Sequence, residues 1–119
     1  MHIDIQSRSF PLTMALRDYV KRRLLSALNR RDEHIQKVVM RLSDINGPRG
    51  GEDKHCHLQV VIAGVPDVVI EDTEENMYNA IDRATERAER AVARKIDRKR
   101  TKSKHTRHAD ASLDSYTLA

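Results

Sequence analysis

Between about Glu74 and about Arg100 the chain carries one apolar stripe at helical spacing: Met77, Ile81, Ala84, Ala88, Val92 and Ile96. At about 100° per residue these six side chains share one side of a helix, which then has a single side to bury. Small residues at 80, 84, 88 and 91 let that side lie close to a sheet or to a second helix. The turn before it, DTEEN, offers Thr73 as N-cap with Asn76 three residues later, and its acids complement the positive helix end.

The remainder of the chain supplies the surface for that helix. From Met1 to Ser9 the residues alternate, with Ile3 and Ile5 on one face and His2, Asp4 and Gln6 on the other, which predicts a half-buried strand. Pro11 ends it, and Thr13 is placed to cap a helix in which Leu16, Tyr19, Val20, Leu24, Ala27 and Leu28 recur at helical spacing through about Arg30. Ile35–Ser43 and His55–Ala63 alternate as two further strands, separated by the Gly-rich loop INGPRGGED. A GVPD turn leads to a fourth strand at Val68–Glu71. The expected fold is α+β, in the order β-α-β-β-β-α: an antiparallel-rich sheet of four strands with two helices packed on one face. Residues 1–100 form the domain, and residues 101–119, which lack sustained periodicity, are expected to be a mobile basic-to-polar tail.

Composition narrows the function classes. At 119 residues and 13.7 kDa the chain is one domain, and with 3% aromatic residues its core must be built of aliphatic side chains. No stretch approaches the roughly 20 apolar residues of a membrane span, and the N-terminus lacks the pattern of a secretion signal. The single cysteine, Cys56, has no partner within the chain for a disulfide. A cytoplasmic protein is expected. KHCH (Lys54–His57) looks like a metal motif, but alternation on a strand sends Cys56 to the core and His55 and His57 outward, so no metal site is expected. No nucleophile motif or phosphate loop stands before a helix, so neither catalysis nor a cofactor is expected.

The net charge of +4 hides an asymmetry: residues 83–108 hold eleven Lys or Arg against three acids, a formal +8, leaving −4 elsewhere. Such a footprint suits a polyanion. Within it Arg83, Arg87, Arg90, Arg94 and Arg98 fall in a band about 80° wide, with the apolar stripe centred about 120° away. Asp82, Glu86, Glu89 and Asp97 take the third sector. A disordered basic tail does not sort charge in this way. Arginines one turn apart stand about 5–6 Å apart, close to the spacing of successive phosphates, although Glu86–Arg90 pairing at i,i+4 offers a simpler use for some of them. Arg17, Lys21, Arg22, Arg23, Arg30 and Arg31 on or just after the first helix would join the band if the two helices lie side by side. A membrane-surface helix is the rival reading, but this stripe is Ala-rich, lacks Trp and Phe, and is needed for the core.

The run MYNAID (Met77–Asp82), preceded by a strand and an acidic turn and followed by Arg87, Arg90, Arg94 and Lys95, resembles the ribosome hibernation promoting factor family. That family is also known as ribosome-associated inhibitor or S30AE domain proteins. LTMALRDYVKRRL (Leu12–Leu24) is similar to the family's first-helix opening, and the likeness spans about residues 1–100. The resemblance implies a non-enzymatic, rRNA-binding translation inhibitor that sits on the small ribosomal subunit and covers the messenger and tRNA sites in stationary phase or stress. Carried over by position, Arg23, Arg87, Arg90, Arg94 and Lys95 match family bases, while Arg83, Arg98 and Lys99 are added from charge geometry alone. Met77, Tyr78 and Ile81 look like packing positions, and Asp82 either a residue of the helix surface or one that supports the contacting bases from behind. Only eleven residues follow His108, so the further domain with which long members join two ribosomes is not expected; a short member would need a helper protein for pairing or would simply block the subunit. Two other readings stay open: a general binder of structured RNA, and a protein-interaction regulator of transcription that would use the acidic face.

Overall fold

The computed structural model describes residues 1–44 and 53–111, with side chains described for 1–44 and 53–98. In chain order the elements are β1 (His2–Arg8), α1 (Met14–Leu28), a 3-10 segment (Asn29–His34), β2 (Ile35–Asp44), β3 (Lys54–Ile62), β4 (Val68–Glu74) and α2 (Met77–Ala111). All four strands form one sheet in the order β1-β2-β3-β4. The crossover through α1 brings β2 alongside β1 in the same direction, so that pair is parallel, while β2–β3 and β3–β4 are antiparallel. The architecture is therefore the expected α+β fold, with both helices on one face of the sheet.

Alternation places Ile5, Met40, Leu58 and Ile70 in one row across the sheet, beneath the helices. Val20, Leu24 and Leu28 of α1 and Ile81, Ala84, Ala88, Val92 and Ile96 of α2 close over this layer and are almost fully buried. The stripe in the sequence is thus the buried side of α2. Cys56 points into the core and His55 and His57 to the opposite face, as alternation requires. Gly64 has φ 77° in the β3–β4 turn, a left-handed conformation that costs glycine little.

Thr13 caps α1 as expected: its Oγ1 accepts from the Leu16 amide at 3.1 Å. Four boundaries differ. First, α1 ends at Leu28 rather than about Arg30, because the chain tightens into the 3-10 segment. Second, β4 runs on to Glu74, with His55 opposite Thr73 and Lys54 opposite Glu74. Third, Thr73 is therefore a strand residue whose hydroxyl meets His55 Nδ1 at 3.0 Å, and the cap falls to Asn76, whose Oδ1 accepts from the Tyr78 amide at 2.8 Å. With the helix starting at Met77, its first turn holds no acid. Fourth, α2 continues past Arg100 to Ala111, through a stretch with neither Gly nor Pro to stop it. Of the INGPRGGED loop, residues 45–52 lie outside the described residues, as do residues 112–119 of the expected tail.

Candidate nucleic-acid interface

The buried stripe fixes how α2 presents its charge. One flank meets the rim of β4 and the β3–β4 turn: Arg87 Nη1 donates to the Glu71 carbonyl at 2.8 Å, and Lys95 Nζ donates to the carbonyls of Pro66 (3.1 Å) and Asp67 (3.3 Å). The other flank meets α1. There the Tyr19 hydroxyl donates to Asp82 Oδ1, and Arg23 Nε donates to the same oxygen at 2.9 Å. Tyr78 stands edge-on to Tyr19, ring centroids 4.7 Å apart. Between these flanks lies the outward side of α2.

Each candidate base has a distinct setting. Arg90, Arg94 and Arg98 are exposed and have no hydrogen-bond or ion-pair partner among the described residues. Arg83, 67% exposed, only grazes Glu74, with Nε 3.5 Å from Oε2. Arg87 and Lys95 spend donors on backbone carbonyls, though the four remaining N–H groups of Arg87 can still meet an anion. Arg23 is half-buried against Asp82. Lys99 lies just beyond the described side chains. No ion pair joins Glu86 to Arg90 among the described residues; two solvated side chains gain too little from such a contact to fix it.

The helices do lie side by side, but their bases do not merge simply. Asp82, from the acidic sector, occupies the seam and draws in Arg23, so the arginine band and the α1 bases are separated by carboxylates. Asp82 is thus a clip between helices rather than a residue of the open surface. Of the three packing positions expected, Ile81 is buried and Met77 partly so, whereas Tyr78 is 42% exposed and stands edge-on to Tyr19. Sequence pattern missed this clip because its members are 63 and 59 residues apart. A sorted acidic sector beside an arginine band was the available signal, since a two-layer fold must turn one flank of α2 toward α1.

No helix among the described residues is long and apolar enough to cross a membrane. A family profile described as sigma 54 modulation protein / S30EA ribosomal protein matches residues 3–100. Among solved structures, the chain is similar to the N-terminal domain of Protein Y from Thermus thermophilus: 30% identity, TM-score 0.65, covering 79% of this chain and 98% of that one. It also shares its fold with a ribosomal subunit interface protein from Coxiella burnetii at 18% identity and TM-score 0.67, covering 82% and 99% of the two chains. Among curated proteins, none matches. The profile spans all four strands from Ile3 on and the part of α2 that carries the arginine band: the chain belongs to the sigma 54 modulation protein / S30EA ribosomal protein family, a family of ribosome-associated proteins.

Proposed function

We propose that the chain is a ribosome hibernation factor of the cytoplasm: it binds the small ribosomal subunit through rRNA phosphates and occupies the messenger and tRNA sites, holding the ribosome idle in stationary phase or stress. The observation that carries this reading is the outward line of Arg90, Arg94 and Arg98, exposed on one helix and without a partner among the described residues. Guanidinium groups fixed at one-turn intervals can take successive phosphate oxygens without first breaking an internal bond. Arg83, Arg87, Lys95, Lys99 and Arg23 add charge around that line. Phosphate contacts position a protein without reading sequence, so selectivity for the subunit comes from the shape of its RNA. Inhibition is by occupancy and requires no chemistry from the chain.

The test is co-sedimentation of the full chain with purified small subunits. R90E/R94E is expected to lose binding at least about tenfold with an unchanged circular dichroism spectrum, and wild-type binding is expected to fall steeply between 50 and 200 mM salt as counterion release weakens. Messenger and tRNA should displace the chain, whereas excess duplex RNA should not. Undiminished sedimentation of the double variant would overturn the reading.

A further inference from the structure

The helices cover one face of the sheet, and the opposite face is open. The register sets two polar rows across it: Gln6, Arg41, His57 and Glu71 in one, and Arg8, Ser43, His55 and Thr73 in the next. Neighbours within a row are about 5 Å apart, so both rows form one patch. A hollow of about 640 Å³ opens over it, lined by Gln6, Arg8, Arg41, Ser43, His55 and His57 among others. Arg8 and Arg41 are exposed with no partner among the described residues. The acid of the patch, Glu71, stands at its β4 end and is held by both imidazoles, His55 Nε2 at 3.2 Å and His57 Nδ1 at 3.4 Å.

We propose that this outer sheet face is a second anion-binding site, in which Arg8, Arg41, His55 and His57 hold the phosphodiester backbone of an RNA strand on the side of the molecule opposite the arginine helix. The proposal rests on the RNA-binding reading above and extends it: the chain would be gripped between two RNA segments, one on each face. Charge complementarity selects the occupant. Two partnerless guanidiniums with ten N–H donors between them, flanked by a hydroxyl and an amide, match phosphate oxygens. Among the described residues the face carries no Phe, Tyr or Trp, and His55 and His57 are engaged with Glu71, so the contact is to the backbone and indifferent to sequence.

Glu71 restrains the site without filling it. Its carboxyl is held below the usual range by the two histidine hydrogen bonds, and its side chain is 60% exposed, free to swing away when a phosphate arrives. The other groups facing the histidines are Arg41 and Ser43 from β2 and Thr73 from β4, with Arg8 across on β1; Arg87 of α2 reaches Glu71 only at its backbone carbonyl. Lys37, His2 and Asp4 lie farther along the same face, Asp4 accepting from Gln6 Nε2 at 3.0 Å.

Binding of the full chain to purified small ribosomal subunits, at one pH and across a salt series, tests the proposal. H55Q/H57Q should weaken binding about threefold or more. R8A/R41A should weaken binding about tenfold and flatten the slope of log affinity against log salt by about two, the loss of two phosphate contacts. All four side chains lie on the open face, and circular dichroism checks the fold of each variant. H55Q/H57Q binding as tight as wild type, or an R8A/R41A affinity within twofold of wild type, overturns the second site. If R90E/R94E abolishes binding while R8A/R41A matches wild type, the helix-face reading stands and the sheet-face site falls. If neither variant changes binding, both fall.

Discussion

Cys56 sits on β3 beneath the helices with no exposed surface, and burial, with Asp72 nearby, pushes its thiol up to about 12. Because the folded chain holds this proton more tightly than the unfolded chain, which releases it near 9.0, the stability involved is full below pH 9.0 and fades as pH rises toward 12. Only the thiolate reacts with disulfide reagents, so at pH 8 labelling should wait for unfolding and accelerate with denaturant. Complete labelling within seconds in native buffer would contradict the burial. Tyr19 is displaced in the same direction: its hydrogen bond to Asp82, then burial, raises it above 10.0. Its contribution is therefore present below pH 10 and lost as the phenol ionises. Y19F should lower the urea midpoint at pH 7 by the equivalent of about 1 kcal/mol, the net worth of a partly solvated hydrogen bond to a carboxylate, and the loss should shrink above pH 10. An unchanged midpoint would mean that the seam does not depend on this bond. At this scale the sequence is legible where a residue answers to its own period. Thr13 as cap and Cys56 facing inward follow from neighbours in the chain. Asp82 binding Arg23 does not, because it depends on how two helices cross.

At the scale of elements, the start of α2 shows which local signals mislead. Thr73 and Asn76 are both good N-cap residues, and the polar run Asp72–Asn76 reads as a turn. The strand wins because Cys56 and Lys54 on β3 offer partners to Asp72 and Glu74, and the solvated outer row needs no apolar side chain to belong to the sheet. A strand whose exposed face is polar and whose rim is wet leaves little period-2 signal. The cap can be assigned by substitution: N76A should cost about 1 kcal/mol in thermal or urea unfolding, and T73A less than about half of that. The reverse order would return the cap to Thr73. The stripe of α2, by contrast, was readable without a structure, since six positions at helical spacing leave no other element that buries them together. Its arginine band was readable for the same reason, whereas the engagement of Arg87 with a β4 carbonyl and of Lys95 with carbonyls of the β3–β4 turn was not: backbone acceptors are invisible in a list of side chains.

For the whole molecule, alternation and helical period together yield the β-α-β-β-β-α order, and with it a two-layer body bearing cations on both broad faces. What the pattern could not yield is the division of the helix face by the Asp82 seam, or the gathering of Arg8, Arg41, His55 and His57 from three strands, since each depends on register. The sheet order β1-β2-β3-β4 also has a consequence in time. Strands β2, β3 and β4 meet through hairpins, contacts close in sequence and quick to close, whereas β1 reaches β2 only after α1 has crossed over. Folding should then begin as a three-stranded meander that gathers α2, with the N-terminal strand arriving last. Pulse-labelled hydrogen exchange should find amides of Val38–Leu42 and Leu58–Val60 protected on the β3 side before those of Ile3–Ser7, and protection of Ile3–Ser7 first would contradict it. The parallel pair, the slowest contact to form, would be the first to open when the chain is pulled from its N-terminus.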